Sequence, residues 1–304
     1  MADKDQQHII PRTFLRRFEI PDYKTPNHVW CYNFEDKYVN EPKAKGVNSN
    51  LFKIKHFYTL HENDDKLQLE NFFAEKVEPE YEKIYNEIKR EDNISELIRL
   101  RIIEWIFYTN QRTDYLREQI KGTFEKLSEF MERFDSNKQG IEFSEEDFMK
   151  RIKPESNRLA KDIQLNSILD KENYSRLFTL YYDNLITKSW TILKSKPDNP
   201  FIANDNPGFS LNATKFYAQK PFHPTIHLNH PAFNYLVISP DYCLYMEPFK
   251  MDVPVEVNAF NMKIEYREIA DELIEYINWG SYLTAKKYII SNRFESIMNR
   301  ISKN

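Results

Sequence analysis

The stretch Gln7-His8-Ile9-Ile10-Pro11-Arg12-Thr13-Phe14-Leu15-Arg16-Arg17-Phe18 decides how the rest of the chain is arranged. A terminus usually frays and carries little information. This one carries Ile9, Ile10, Phe14, Leu15 and Phe18, side chains whose burial is worth roughly 1.5–3 kcal/mol each. The segment is therefore expected to thread into the body of the protein and to take His8 with it. Working outward, the β-branched and aromatic run Val29-Trp30-Cys31-Tyr32-Asn33-Phe34 predicts a strand. Glu35-Asp36-Lys37 predicts a turn, Tyr38-Val39 a partner strand, and His56-Phe57-Tyr58-Thr59-Leu60 a further strand.

Helical patterning follows. Phe73, Val77, Tyr81, Ile84 and Ile88 recur at helical spacing between Leu67 and Lys89. Ser95 has the character of an N-cap for a helix from Glu96 to Phe134. Its opening block, Leu97 to Tyr108, is apolar on most sides and predicts a central, buried element. Ser144-Glu145-Glu146-Asp147 predicts a capped helix start, Pro154 a break, and Glu155 to Asn184 a further helix. Ser189–Leu193 and Phe201–Ala203 predict one strand pair, Asn234–Ile238 and Tyr242–Met246 a hairpin around Ser239-Pro240-Asp241, and Val255–Ile277 and Tyr282–Met298 two closing helices. The fold class is α+β, a mostly helical body beside a mixed or antiparallel sheet built from N-terminal and C-terminal strands. The organisation expected is a single domain over 1–304, with a β-rich part at 1–62, helices at 66–184, hairpins at 189–250 and C-terminal helices at 253–298.

Composition narrows the function classes. Only 5 of 304 residues are glycine, and neither G-x-G-x-x-G nor G-x-x-x-x-G-K-[ST] occurs, so phosphate cradling by a glycine-rich loop is excluded. A net charge of −4 gives no strong signal for nucleic acid. The N-terminal residues form no apolar leader and no apolar run approaches ~18 residues, so a cytoplasmic protein with no membrane association is expected. Cys31 and Cys243, far apart and both in strand-like runs, are expected to be buried free thiols.

Five constellations carry the candidate chemistry. His8 is a candidate general base or metal ligand, the alternative being a structural histidine. On the helix from Leu67, Glu78 shares a face with Asn71, Ala74, Tyr81 and Tyr85, and a carboxylate desolvated by aromatic rings suits acid–base work. In the buried helix a polar line runs Arg101, Glu104, Tyr108, Gln111, Arg112 and Tyr115. Arg101 with Glu104 suggests an ion pair, and Arg112 suggests an anion holder. Asp205, in Asn204-Asp205-Asn206-Pro207-Gly208 after an apolar strand, is placed to bind a metal or to shape a turn. His223, His227 and His230 have ligand-like spacing, but Pro221, Pro224 and Pro231 around them argue for an irregular loop.

The ordered set of motifs resembles a family named only as the domain of unknown function 4238, found mainly in bacteria. His8-Ile9-Ile10-Pro11 with Leu15 and Phe18 is similar to its opening signature, and Glu70 to Glu78 to its Glu-rich segment. Gln111-Arg112-Thr113 resembles its Gln-x-x-Arg helix motif in contracted form. Phe201 to Pro207 is similar to its strand ending in Asp-Asn-Pro, and Tyr235 to Pro240 to its strand ending in Ser-Pro. The resemblance spans about residues 7 to 290 and implies organisation rather than activity. It adds weight to His8, Glu78, Arg112 and Asp205 and removes it from the His223 cluster. The same opening is also similar to that of HNH nucleases, which often read His-His-Ile-Ile-Pro. Here Gln7 replaces the first histidine, and Asn27 and His28 lie beside a strand rather than on a following helix, so the chain is not read as an HNH enzyme.

Two functions are expected on these grounds. The first is a metal-dependent phosphodiesterase or nuclease-like hydrolase, with His8, Glu78 and Asp205 around a divalent metal ion and Gln111 and Arg112 beside a phosphate-containing ligand. The second is a non-catalytic binding or regulatory module with a protein partner, in a bacterial defence or toxin system.

Overall fold

A computed structural model describes residues 6–36, 40–60, 67–140, 142–206, 208–212, 222–226, 228, 232–248 and 263–302. The chain runs from β1 (Gln6–His8) through α1 (Arg12–Leu15), β2 (His28–Asn33), β3 (Lys43–Gly46) and β4 (Lys53–Lys55) into the helices. These are α2 (Gln68–Phe72), a wide π-turn (Phe73–Val77), α3 (Glu78–Lys89), α4 (Glu96–Gln111), α5 (Asp114–Gln139), α6 (Glu145–Leu169) and α7 (Lys171–Ile186). Strands β5 (Lys188–Lys194), β6 (Ala203–Asn204), β7 (Phe209–Asn212), β8 (Phe222–Pro224), β9 (Ala232–Val237), β10 (Tyr242–Pro248) and β11 (Glu265–Glu268) follow, then α8 (Asp271–Thr284), β12 (Tyr288–Ser291) and α9 (Phe294–Ile301).

The fold is α+β, with strands from both ends of the chain sharing a sheet. That sheet has the order β3-β2-β12-β6, with Cys31 opposite Ile290 and Ala203 also opposite Ile290. A second, six-stranded sheet has the order β11-β5-β10-β9-β7-β8, antiparallel except where β11 runs parallel to β5. The N-terminal segment is tied in as its apolar content requires. β1 pairs with β4, Ile9 donates its amide to Phe52 O at 3.0 Å, and Phe14, Leu15 and Phe18 are buried. Phe14 meets Tyr81 and Trp105 at ring distances of 5.8 and 6.4 Å, joining the terminus to α3 and α4. One cluster of buried side chains runs from Ile9 through Ile106 and Leu244 to Ile290. Within it α4 is the central helix, with Ile102, Ile103, Ile106 and Phe107 fully buried. Both cysteines are free and buried. Among the described residues no helix is long and apolar enough to cross a membrane.

Several expected elements take a different form. The helix begun at Glu96 ends at Gln111, because Thr113 turns and caps α5, its Oγ1 accepting the Leu116 amide at 3.2 Å. Pro154 does not break α6: it and Lys150, whose carbonyl loses a donor, both lie on the exposed side. The break comes at Asp170, which caps α7 through the Asn173 amide at 2.8 Å. β5 and β6 are not partners; Lys196-Pro197-Asp198-Asn199-Pro200 carries the chain from one sheet to the other. The run 56–60 is a turn opened by His56 at φ 55°, and the strand precedes it at Lys53–Lys55. The two closing helices are instead β11, α8, β12 and α9, because Tyr288-Ile289-Ile290-Ser291 is buried on both faces as a central strand requires. Tyr38-Val39 and the start of the first closing helix lie outside the described residues.

Two glycines in helices make opposite demands. A Cβ at Gly280 in α8 would stand 2.4 Å from the Phe209 ring, whereas at Gly122 in α5 it would meet nothing within 4 Å. Gly280→Ala is expected to destabilise by about 1–3 kcal/mol through overpacking. Gly122→Ala is expected to stabilise by about 0.5–1 kcal/mol. Chemical denaturation of the two variants measures both signs.

Candidate functional site

The end of α4 places Arg112 inside the protein, 2% exposed. A buried guanidinium is costly unless its charge and its donors are met. Its Nε donates to the Tyr58 hydroxyl oxygen at 3.0 Å and its Nη2 to the His8 carbonyl at 2.7 Å. Tyr58, also fully buried, donates its own proton to the His8 carbonyl at 3.2 Å. The cation lies over the Phe73 ring at 4.4 Å. Gln7, opposite Ile54, completes the tie by accepting the Tyr58 amide through its side chain.

Two carboxylates answer the charge. Glu78 Oε1 stands 3.8 Å from Arg112 Nη1, and Glu70, which accepts the His8 amide N–H, is near enough for its charge to act on the same guanidinium. On a regular helix, residues eight apart diverge by some 80°. The π-turn at Phe73–Val77 lies between them and inserts one residue, so they fall as residues seven apart do, about 20° from alignment. Burial is the main reason the Glu70 pKa lies above the ordinary carboxyl value. Glu78 adds to this, while Arg112, the His8 amide and Lys53 pull it down. Burial also opposes the Arg112 charge, but Tyr58, Glu78 and Glu70 outweigh it and raise its pKa.

The His8 side chain sits beside this cluster, its pKa lowered to about 4 by burial first, then by Lys53, Arg112 and Arg12. Its hydrogen bond to the Val47 carbonyl works the other way. Three buried polar atoms here have no hydrogen-bond partner among the described residues: His8 Nε2, Glu70 Oε2 and Arg112 Nη1.

Of the residues expected from sequence, His8, Glu78 and Arg112 come together; Gln111 and Asp205 serve elsewhere. Gln111, one residue before the turn, faces α6 and accepts from Ser167 Oγ at 2.9 Å. The Asp205 carboxylate accepts the amides of Lys286 and Lys287, each at 2.9 Å, which fixes the entry into β12. Its neighbours do the same work: Asn204 Nδ2 donates to Ser281 O and Asn206 Nδ2 to Thr284 O, both at 2.7 Å. The Asn-Asp-Asn run is thus a clamp closing the end of α8. Asp205 and Arg112 share a hollow with Ile9, Ile10 and Thr109, but the expected metal ligands His8, Glu78 and Asp205 form no common set. Among the described residues no group of three or more His, Cys, Asp or Glu side chains is placed to hold one ion. Arg101 pairs with Glu80 at 3.2 Å rather than with Glu104, which accepts from the Tyr174 hydroxyl at 3.1 Å. His223 lies in β8, and His227 and His230 are outside the described residues. Glu70, Tyr58 and Lys53 were missed from sequence. The signal for Glu70 was its place opening the Glu-rich segment, hidden because regular helical phase puts it off the Glu78 face.

Arg112→Lys keeps the charge but cannot donate to Tyr58 and to the His8 carbonyl at once. It is expected to destabilise by about 3 kcal/mol, measured by denaturant midpoint, with Glu78→Gln costing distinctly less because Glu78 is partly exposed. His8 supplies a pH signature. Its folded pKa of about 4 lies below the ordinary histidine value of 6.5, so the unfolded chain binds more protons between those values. Its contribution to stability is complete above pH 6.5 and is lost as pH falls towards 4. His8→Gln should flatten the stability profile in that window.

No curated protein and no solved structure matches the chain. A family model described as a protein of unknown function (DUF4238) matches residues 6–295. That match covers nearly the whole chain, including β1, both ends of α4 and the Asn-Asp-Asn clamp, and on it the protein belongs to the DUF4238 family.

Proposed function

We propose that this protein is a hydrolase of phosphodiester bonds whose proton transfers run through His8 and Glu70. The observation that carries this reading is the set of three buried polar atoms without partners, His8 Nε2, Glu70 Oε2 and Arg112 Nη1, gathered in one cluster. Buried polar atoms are normally satisfied, and perturbed titrating groups gathered together favour a functional site. The charges support an anionic substrate, since Lys53, Arg112 and Arg12 all act on His8.

In this scheme His8, uncharged at neutral pH, takes a proton from the attacking water through Nε2. The water oxygen bonds to phosphorus and the bond from phosphorus to the leaving oxygen breaks. Glu70, which holds its proton more tightly than an ordinary carboxyl, passes it to that leaving oxygen. Glu78 holds Arg112 in position, and Tyr58 holds the His8 backbone.

The test is turnover of bis(4-nitrophenyl) phosphate and of a short single-stranded oligonucleotide, with and without added divalent metal. His8→Ala and Glu70→Gln should each lower kcat by about 10²–10⁴-fold while thermal melting shows a folded protein. Absence of turnover, or variants as active as the parent, would overturn the reading.

A second reading, a non-catalytic module that binds a protein partner, is favoured by one feature. Leu127, Phe130, Met131 and Phe134 form a stripe on α5, each 58–69% exposed. Their spacing is that of an apolar helix face made to receive another helix. A catalytically silent parent chain whose self-association in sedimentation is lost in Phe130→Ser would favour this module.

A further inference from the structure

The face of α4 that carries Arg112 holds a second feature. Trp105 lies two helical turns before Arg112, about 10 Å along the axis and some 20° around it. Beside Trp105 is a cavity of about 260 Å³ between α4 and the α2–α3 segment. At roughly 30 Å³ per water, it has room for several waters or for one planar ring system.

The walls are aromatic. Phe72 and Tyr108 meet edge to face at 5.2 Å, Tyr108 is backed by Tyr174 at 5.8 Å, and Trp105 by Tyr81 at 5.1 Å. The rings are therefore held in place from behind. The polar lining is Lys76, Glu80, Arg101 and Glu104, whose formal charges cancel. Glu80 Oε2 is buried 3.2 Å from Arg101 Nε without forming a hydrogen bond among the described residues, while Glu80 Oε1 accepts from Lys83 Nζ at 2.5 Å. Glu104 keeps its place through Tyr174. A balanced set of carboxylates and cations around aromatic walls does not select a simple ion. It suits a flat, neutral ring bearing donors on one edge and acceptors on another.

We propose that this cavity binds a purine base with the hydrogen-bond pattern of guanine. Guanine offers two adjacent donors, N1–H and N2–H₂, to a carboxylate, and two adjacent acceptors, O6 and N7, to an arginine or lysine. Adenine lacks both pairs. The π-turn makes the arrangement compatible with the neighbouring cluster: Phe72 and Lys76 line the cavity, while the charges of Glu70 and Glu78 on either side of them act on Arg112. Wide turns of this kind occur preferentially at functional sites. The inference deepens the hydrolase reading and rests on it for its phosphate, since Trp105 lines both this cavity and the hollow that contains Arg112.

The experiment titrates the full chain with guanosine, inosine and adenosine, and with ribose 5-phosphate as a probe lacking the base, by isothermal calorimetry. Guanosine should bind about tenfold or more tighter than adenosine, with inosine, lacking the N2 amino group, between them. Glu80→Gln and Tyr108→Ala should weaken guanosine by a similar factor with circular dichroism unchanged. Lys76→Ala, at the exposed rim, replaces Tyr108→Ala should that variant unfold. No binding of guanosine, equal affinity for adenosine, or variants that bind as the parent does would overturn the proposal. The nucleosides carry no phosphodiester, so the two readings separate. Guanosine binding without diesterase activity leaves the cavity proposal standing and removes the hydrolase, and activity without nucleoside binding does the reverse.

Discussion

A guanidinium buried at the end of α4 is the constraint on which the surrounding structure depends. Arg112 cannot shed its charge, so the fold must supply oxygen atoms in a fixed plane around it. Three segments distant in sequence do so: β1 gives the His8 carbonyl, the turn after β4 gives Tyr58, and the α2–α3 segment gives Glu78, with the charge of Glu70 acting from nearby. The break between α4 and α5 belongs to the same requirement. A helix running on to Phe134 would carry Arg112 past this nest as one more interior residue; the Thr113 cap stops it there. The wide turn before α3 serves it too, since regular phase would turn one of the two acids away.

The electrostatics of the cluster follow from having two acids for one buried cation. Two carboxylates near each other cannot both ionise cheaply in a dry site. Glu70, the one pushed up by burial and by its neighbour, is also the one with an oxygen left without a partner. His8 is pushed the other way by the cations around it. The cluster thus holds, side by side, an acid inclined to keep its proton and a base inclined to stay neutral.

Much of this was legible in the sequence because it rests on local patterning. Ile9, Phe14 and Phe18 announced a terminus that packs inward, Leu97 to Tyr108 a central helix, and the hairpin around Ser239-Pro240-Asp241 its own turn. His8, Glu78 and Arg112 stood out as polar groups inside apolar elements. What was hidden depends on long-range context. Asn204-Asp205-Asn206 has the composition of a turn and of a metal site alike, and only the approach of α8 and β12 decides for the clamp. Tyr288-Ile289-Ile290 fits a helix or a buried strand by periodicity alone; the partners β2 and β6 decide. Gln111 and Arg112 are consecutive, so the helix end sends them to opposite neighbours.

The pairing of β2 with β12 brings Trp30 opposite Ser291, contacts separated by nearly the whole chain. Loop closure of that length comes late in folding. On the ribosome, Cys31 and Tyr32 emerge early and must wait, unpaired on that side, until Ile290 and Ile289 have been made. The helices from Gln68 to Ile186 pack largely on one another and can form in the meantime. A chain halted short of β12 would therefore hold its helices beside an unfinished sheet whose bare strand edge invites pairing with other chains. The last strand acts as the closing step of synthesis, and truncations just before it should be far more aggregation-prone than the same number of residues removed from the helical middle.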